Sequence, residues 1–344
     1  MGVEEEFLLL ADDGSVRPVG AAVVAAARLP GQVKPEYMRY QVETASAVCT
    51  RVEDLRRDLV RLRVAVAEAA DRAGARLIAV GAAPLAAGPR QALSGDERYR
   101  ELARRYPGPT APGATCACQV HVGIADREVA VAVLGRLRPW LPALLALTVN
   151  SPYAGGVDTG WASIRYRLQR RWPTFRPPGV WADAQRYDSV VASLVTSGAA
   201  LDPAAVYFLA RLSSRYPTIE VRVADTCLEV DDTVVYAATV RALVAGLVDD
   251  VRRGVPARPV PGRLINARLL AAARGTGPAV GDLMAKVEPY LAGSDAGVVR
   301  DGLQRMLHLG TGAERQRRMR ALPGDPRRFV RLLAEATVPV ATVS

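Results

Sequence analysis

Residues 1–10 read MGVEEEFLLL, in which three consecutive glutamates are followed at once by a phenylalanine and three leucines. The apolar run predicts a β-strand over Val3–Leu10 that enters a hydrophobic core. Side chains two residues apart in a strand share a face, so Glu4 and Glu6 lie on one face and Glu5 lies on the other. Two neighbouring carboxylates in a core strand need a compensating positive charge, which other parts of the chain must supply.

Three further segments alternate like half-buried strands, namely Tyr40–Thr44, Cys118–Ile124 and Thr218–Ala224. Each sets an apolar face against a face with polar side chains. The residues on the polar faces are Gln41 and Glu43 in the first segment, Gln119 and His121 in the second, and Thr218, Glu220 and Arg222 in the third.

The repeated polar face has two interpretations. A half-exposed antiparallel sheet with a solvated face is the ordinary one for any single strand. Taken together, however, the strands gather repeated glutamates and one of only two histidines in the chain. Converging carboxylates repel each other unless a cation lies between them, and an oxygen-rich cluster favours Mg²⁺ or Mn²⁺. Such ions commonly hold the phosphates of ATP, where Arg222 and Arg165 could neutralise a transferred phosphoryl group.

Composition limits the classes of protein to consider. The chain has 344 residues, of which 50% are hydrophobic, enough for a sizeable core. The net charge of +10 permits nucleic-acid binding, but aromatic residues make up only 6% and no recognition motif is present, so no nucleic-acid partner is expected. Arginines and prolines interrupt the most apolar stretch, Val129–Val149, which predicts a poor membrane span. Four cysteines in a chain this long do not make a disulfide framework, and the expected location is the cytoplasm.

The order of the predicted elements favours an α+β fold. A helix begins near Glu53–Asp54 with apolar residues at helical spacing, and Asp126 is placed to cap another. Arg76–Val80 is predicted as a buried strand, and Ala87–Thr115 as a long loop with some helix. Strict alternation of strands and helices is absent, which indicates a mixed antiparallel sheet.

Several motifs, in the same order, resemble the carboxylate–amine ligases of the glutamate–cysteine ligase type 2 family. The resemblance runs through nearly the whole chain, and a series of ordered motifs is far more specific than any one of them. The segments that carry it are MGVEEEF, QVETASAVC, CQVHVGI, NSPYAGGVDTGWASIRYR, RRWPT, YPTIEVRVADTCLEVDD and GTGAERQRR.

The resemblance implies a glutamine-synthetase-like fold, in which a curved antiparallel sheet lines the active site and helices flank it. It implies one catalytic domain over residues 1–344. The implied activity is ATP-dependent amide formation through an acyl phosphate, with ATP and Mg²⁺ or Mn²⁺ required and with small carboxylate and amine substrates. A homodimer is a further possibility, because enzymes of this size often form symmetric dimers.

The resemblance also assigns roles to individual residues. It implies that Arg222 and Arg165 are catalytic and that both, with Gln119, contact ATP. The implied metal ligands are Glu4, Glu6, Glu36, Glu43, His121 and Glu220, and the implied substrate-binding residues are Asn150, Asp158, Thr159 and Gln41.

The sequence departs from the family pattern at three places. Gly81-Ala82-Ala83-Pro84 stands where many members have Gly-Thr-His-Pro, Gln119 replaces the first histidine of a His-Val-His-Val-Gly pattern, and Arg211-Leu212-Ser213 replaces Arg-Pro-Ser. The acidic set is intact, so ATP chemistry is expected with substrates other than glutamate and cysteine, in a specialised pathway. The alternative is a binding or regulatory protein on the same scaffold. For Arg222 alone, the alternative is a salt bridge with Glu220 inside the sheet.

Overall fold

A computed structural model describes residues 1–86, 92–111, 113–277, 280–291 and 293–338 of the chain. Its centre is a seven-stranded sheet in the order β2-β3-β1-β5-β9-β8, with β4 also paired to β1, and every pairing is antiparallel. The strands are β1 (Gly2–Leu10), β2 (Val33–Pro35), β3 (Gln41–Ala45), β4 (Arg76–Ile78), β5 (Ala117–Gly123), β6 (Tyr153–Ala154), β7 (Val157–Asp158), β8 (Ala210–Leu212) and β9 (Thr218–Asp225).

The register of the sheet brings the polar residues of four strands onto one face. Glu6 on β1 lies opposite Glu43 on β3, and Glu4 lies opposite Gln119 on β5. His121 on β5 lies opposite Glu220 on β9. The predicted α+β fold with an antiparallel sheet is therefore confirmed, and so is the shared polar face.

Helices make up most of the remaining described chain. Glu53 and Asp54 lie in the first turn of α2, as predicted, and the Asp126 side chain caps α5 by accepting from two backbone N–H groups. The helices are α1 (Gly20–Ala27), α2 (Val52–Arg72), α3 (Glu97–Arg105), α4 (Pro107–Thr110), α5 (Arg127–Leu137), α6 (Leu141–Thr148), α7 (Ile164–Gln169), α8 (Ala184–Thr196), α9 (Val230–Arg252), α10 (Gly262–Arg274), α11 (Gly281–Val287), α12 (Ser294–Leu309), α13 (Gly312–Ala321) and α14 (Pro326–Thr337).

The main hydrophobic core lies on the apolar face of the sheet. Val3, Val120 and Val221 pack there against buried side chains of α2, α5, α6 and α9. On the opposite face, α14 covers only the far end of β1, where Phe329 and Leu333 join the cluster that contains Leu8 and Leu10. The polar end of that face is left to a cavity, whose walls include residues of α3, α4 and α7.

A charged pair is buried inside this core. The Arg63 side chain on α2 is 0% exposed and binds both carboxylate oxygens of Glu5, at 3.1 and 2.5 Å. It also donates to the backbone carbonyls of Cys227, Leu228 and Thr337, the last at 2.9 Å. Glu5 is thus a structural carboxylate on the face of β1 that points away from Glu4 and Glu6.

The segment predicted as a long loop with some helix contains α3 and α4. Asp96 caps α3 through the backbone N–H of Arg98, and Leu102 of α3 packs with Tyr106 in a small hydrophobic cluster. Residues 87–91 and 112 of the predicted loop lie outside the described residues. The described part forms one wall of the cavity on the polar face.

Residues 127–148 form the one helical stretch in the described ranges that is long and apolar enough to be compared with a membrane span. Its apolar 18-residue window has a mean hydropathy of 1.4, and 56% of that window is buried inside the protein. A buried core helix of a globular protein passes the same test, so this stretch is weak evidence for a membrane.

Candidate active site

Two groups of potential metal ligands lie side by side on the polar face. In the first, Glu6, Glu36 and Glu43 each offer a carboxylate oxygen, and these atoms lie within 4.8 Å of one another. In the second, Glu4, His121 and Glu220 satisfy the same limit. The structure therefore brings together all six residues predicted as metal ligands, three in each group.

The first group is rich in uncompensated carboxylate. Burial, with the nearby Glu36 carboxylate, raises the pKa of Glu6 to about 7. Burial raises the pKa of Glu43 most, and the negative charges of Glu36 and Glu4 raise it further. Lys34 contacts Glu43 at 3.0 Å, but its side chain is half exposed. This group therefore gains most from a bound proton or a bound cation.

The second group has cations close to its carboxylates. Burial opposes the ionised form of Glu220, but Arg222 and Arg211 outweigh it and lower its pKa to about 2. Burial is likewise outweighed at Glu4, where the contact with His121 lowers the pKa to about 2. Both carboxylates of this group are therefore ionised at neutral pH, and Glu220 is already paired with two arginines.

The donor chemistry of both groups fits a hard divalent cation. The first group offers only carboxylate oxygens, which Mg²⁺ and Mn²⁺ prefer, and the second adds one imidazole, which both ions accept. The Nδ1 atom of His121 lies 3.0 Å from the Thr218 hydroxyl, while its buried Nε2 atom has no hydrogen-bond partner among the described residues. That nitrogen lies 3.9 Å from Glu4 and is the atom placed to bind a metal.

Arg222 and Gln119 connect the two groups. Arg222 donates to Glu220 and to the Gln119 side-chain carbonyl. The Gln119 amide nitrogen in turn donates to Glu6 at 2.9 Å. The salt bridge between Arg222 and Glu220 is therefore present, and the same guanidinium lines the cavity beside Glu6.

Arg165 is the second arginine on the cavity wall. Its side chain is buried, yet its nearest partners are distant: the Val223 carbonyl at 3.4 Å, the Arg222 carbonyl at 3.5 Å and the Asp225 carboxylate at 3.6 Å. Its Nε atom has no hydrogen-bond partner in the described chain. A buried guanidinium with this much unused donor capacity is suited to an anionic ligand.

The cavity beside these groups is lined by both polar and aromatic side chains. Its free volume is about 110 Å³. The polar side chains include Glu6, Glu36, Gln41, Arg165, Gln169 and Arg222, and the aromatic ones are Tyr37, Tyr99, Trp172, Phe175 and Tyr207, with the apolar Leu102 and Leu168.

The wall formed by α3 and α4 is bonded directly to the first metal group. The Tyr99 hydroxyl donates to Glu36 at 2.7 Å, and its ring packs edge-on against Tyr37. Burial and the Glu36 carboxylate raise the pKa of Tyr99, so the hydroxyl keeps its proton and remains a donor.

The residues predicted to bind substrate occupy different environments. Gln41 lines the cavity, although its amide already donates to the Thr115 carbonyl at 3.1 Å. The Asn150 amide is buried and donates to the backbone carbonyls of Ala79 and Thr226. Asp158 is exposed and paired with Arg317 at 2.8 Å, and the Thr159 hydroxyl donates to a backbone carbonyl. The described cavity wall therefore includes Gln41 but none of the other three.

The departures from the family pattern border the site. Ala82 of the Gly81–Pro84 segment pairs with Thr115, which lines the cavity. Arg211, from the altered Arg-Leu-Ser stretch, binds Glu220 at 2.8 Å. Gln119 donates to Glu6. Each of the three departures therefore contains a residue that contacts a predicted ligand or a residue of the cavity wall.

Sequence reasoning did not single out the aromatic residues of the cavity. Tyr99 comes from the segment predicted as a long loop with some helix, and Trp172 and Tyr207 lie in irregular segments outside the helices and strands. A usable signal was the scarcity of aromatic residues, 6% of the chain, against their concentration in residues 99–107 and 161–187.

Comparison with known proteins gives consistent results. The profile of glutamate–cysteine ligase family 2 matches residues 1–330. A protein of Salinispora tropica, provisionally named glutamate–cysteine ligase 2, is 44% identical over 99% of this chain and 95% of its own length. A protein of Salinispora arenicola with the same provisional name is 44% identical over 93% of this chain and 89% of its own.

Solved structures share the fold at low sequence identity. The glutamate–cysteine ligase of Francisella tularensis, solved in complex with AMP, aligns with a TM-score of 0.71 at 12% identity, over 99% of this chain and 89% of its own. The bifunctional glutathione synthetase of Pasteurella multocida aligns with a TM-score of 0.70 at 13% identity over 98% of this chain. This chain spans about half of that enzyme, 52% of its length. The chain thus belongs to glutamate–cysteine ligase family 2, a family of ATP-dependent carboxylate–amine ligases.

Proposed function

We propose that this chain joins a small carboxylic acid to a small amine, at the expense of ATP, through an acyl phosphate. The observation that carries the proposal is the pair of metal-binding groups on one sheet face, with Arg165 and Arg222 on the wall of the adjoining cavity. Adenine-nucleotide binding is supported by the related fold of the Francisella tularensis enzyme, which was solved with AMP.

The proposed chemistry assigns a distinct task to each part of the site. A free carboxylate needs a better leaving group than hydroxide, and phosphorylation by ATP with bound Mg²⁺ or Mn²⁺ provides one. Glu6, Glu36 and Glu43 would hold one metal, and Glu4, His121 and Glu220 would hold another. These residues fix the position of the phosphates relative to the acid.

The two arginines that line the cavity act on the anionic groups. Arg222 faces the cavity between Glu220 and Glu6 and stabilises the charge that develops on the transferred phosphoryl group. Arg165, with its unused donors, holds the carboxylate of the acid. A carboxylate of the first metal group accepts the proton that the attacking amine releases.

The aromatic side chains of the cavity favour a substrate with an apolar part. Within the described residues, the charged groups that line the cavity are Glu6, Glu36, Arg165 and Arg222, and the proposed reaction already assigns these to the metal, the phosphoryl group and the carboxylate of the acid. A charged side chain placed among the aromatic rings would lose its hydration without gaining a partner. We therefore propose an acid or amine that carries an apolar group, and not the glutamate–cysteine pair.

Three broader expectations accompany this function as proposals. A single catalytic domain is supported by the family match over residues 1–330 and by the core that joins the sheet to its helices. A cytoplasmic location is supported by four free, buried cysteines. A homodimer is proposed from chain size alone.

A test is to supply pairs of amino acids and related acids and amines with ATP and Mg²⁺ and to measure ADP release. We expect ADP release that depends on both substrates. The Glu43→Gln variant should release ADP more slowly, by about 10²-fold or more. Arg61→Met, a substitution of a partly exposed arginine on α2, serves as the control and should leave the rate unchanged. ATP binding without ADP release from any pair would instead favour a binding or regulatory protein on this scaffold.

A further inference from the structure

Asp225, the last residue of β9, is a buried carboxylate that the reaction itself does not use. One of its oxygens accepts from the Asn150 backbone N–H at 3.0 Å and from the Ser151 hydroxyl at 2.6 Å. The other accepts from the Ser163 hydroxyl at 2.8 Å and lies 3.6 Å from Arg165. Three hydrogen-bond donors and one guanidinium from a single stretch of chain, residues 150–165, therefore converge on one side chain.

The groups that bind Asp225 also fix the backbone that carries Arg165. The Ser151 hydroxyl accepts from the Arg165 N–H at 3.2 Å. The Ser163 hydroxyl accepts from the Tyr166 N–H and caps α7, the short helix on which Arg165 lies. Asp225 thus determines the position of Arg165 twice, through its backbone and through its guanidinium.

The space around Asp225 is restricted as well. A Cβ atom at Gly81 would lie 2.7 Å from the Asp225 carboxyl carbon, so position 81 must lack a side chain for this carboxylate to occupy its place. The Asn150 backbone carbonyl accepts from the Gly81 N–H at 3.0 Å, so Gly81 is bonded to the same residue whose N–H binds Asp225. The carboxylate therefore has close backbone neighbours as well as hydrogen-bond donors.

We infer that Asp225 is a positioning residue, which acts through Arg165 to hold that guanidinium against the cavity. The inference rests on the proposed role of Arg165 in binding the carboxylate of the acid. The partners of Arg165 itself lie at 3.4–3.6 Å, so they hold it weakly and leave its donors to a ligand. Asp225 makes the ion pair with Arg165, whose charge also acts on Glu6 across the cavity.

The central experiment is a double-mutant cycle with Asp225→Asn and Arg165→Met, measured by ADP release. Asp225→Asn should lower kcat/KM for the acid by about 10- to 100-fold, because a displacement near 1 Å suffices for that loss, with KM for ATP changing less than about threefold. In the Arg165→Met background, Asp225→Asn should lower kcat/KM for the acid by no more than about threefold further. The effects of a residue that acts through another are not additive with the effects of that other residue. Losses that multiply would overturn the inference, and so would a selective rise in KM for ATP.

A crystal structure of the Asp225→Asn variant gives a readout that needs no activity. The Arg165 guanidinium is expected to leave the cavity wall, and finding it in place would overturn the inference. If the wild-type enzyme releases no ADP with any pair, the proposed function fails while this structural test still decides the role of Asp225.

Two further variants complete the set. Asp231→Asn, an exposed aspartate paired with Arg56 on the surface, should match the wild type in both measurements. If Asp225→Asn does not fold, Ser151→Ala takes its place in the same cycle, because it removes one of the hydrogen-bond donors to Asp225. A smaller loss of kcat/KM in the same direction is then expected.

Discussion

Replacing Arg63 by methionine should destabilise the protein strongly without touching the active site. The side chains of Arg63 and Glu5 are 0% and 1% exposed, so the substitution leaves a carboxylate buried without its cation. It also leaves the carbonyls of Cys227, Leu228 and Thr337 without the donors they now have. Thr233 would still donate to Glu5 at 2.7 Å, which compensates only in part.

The expected size of the effect follows from the burial of the pair. Removing one partner of a buried ion pair costs about 3–5 kcal/mol of unfolding free energy. An unfolding entropy of about 2.1 cal/mol/K per residue gives about 0.7 kcal/mol/K for 344 residues, so Tm should fall by about 4–7 °C. The double variant Arg63→Met/Glu5→Gln should recover the loss of unfolding free energy that is due to the unpaired charge. It should not recover the loss that is due to the three carbonyls.

The measurement is thermal unfolding followed by circular dichroism, with Arg61→Met as the matched control. Arg61 lies two residues away on the same helix, but its side chain is 44% exposed and its ion pair with Asp58 is on the surface. Such pairs contribute about 0–1 kcal/mol, so the control should stay within about 1–2 °C of the wild type. Equal Tm values for Arg63→Met and Arg61→Met would refute the assignment of this pair as a structural centre of the core.

Three other outcomes are expected. Arg222→Ala should keep the fold and ATP binding and lower ADP release by about 10²-fold or more, and a folded variant with normal turnover would leave Arg222 as only a salt-bridge partner of Glu220. Because the pKa of Glu6 is raised to about 7 from an ordinary value of 4.5, the folded metal-free protein retains a proton that the unfolded chain releases. Its unfolding free energy should therefore fall as the pH rises through that interval, and urea denaturation in EDTA should show that Glu6→Gln flattens this fall. Ligation of glutamate to cysteine should be weak compared with pairs that carry an apolar group, and efficient ligation of that pair would contradict the substrate proposal.

The strands and the acidic face could be predicted because they depend on local alternation. Each of the four strands has an apolar face that must enter the core, and this requirement selects the register in which Glu4, Glu6, Glu43, His121 and Glu220 share the other face. The partner of Glu5 is a different case, since it lies 58 residues away on a helix. A signal was present even there: Arg63 lies four residues after Leu59 and three before Val66, on the apolar side of its helix.

The cavity wall could not be derived from such periodicity. Tyr99 on α3 reaches Glu36, which lies 63 residues earlier in the chain, and no pattern within residues 92–111 shows this contact. Asp225 is similar, because its partners are set by the path of residues 150–165, which no periodic pattern in that segment shows. Loop paths depend on tertiary contacts, which a single sequence records poorly.

The hydrogen bond between Arg63 and the Thr337 carbonyl has a consequence for the order of folding. Arg63 serves Glu5 on the first strand, while Thr337 ends α14, so the surroundings of that strand become complete only after nearly the whole described chain has been synthesised. The strands that pair with β1 all lie within the first 123 residues, but until Thr337 is in place the Arg63 guanidinium lacks one of its carbonyl acceptors. Contacts this distant along the chain slow folding and prolong the exposure of apolar strands, so the nascent protein should depend on chaperones more than its final stability suggests.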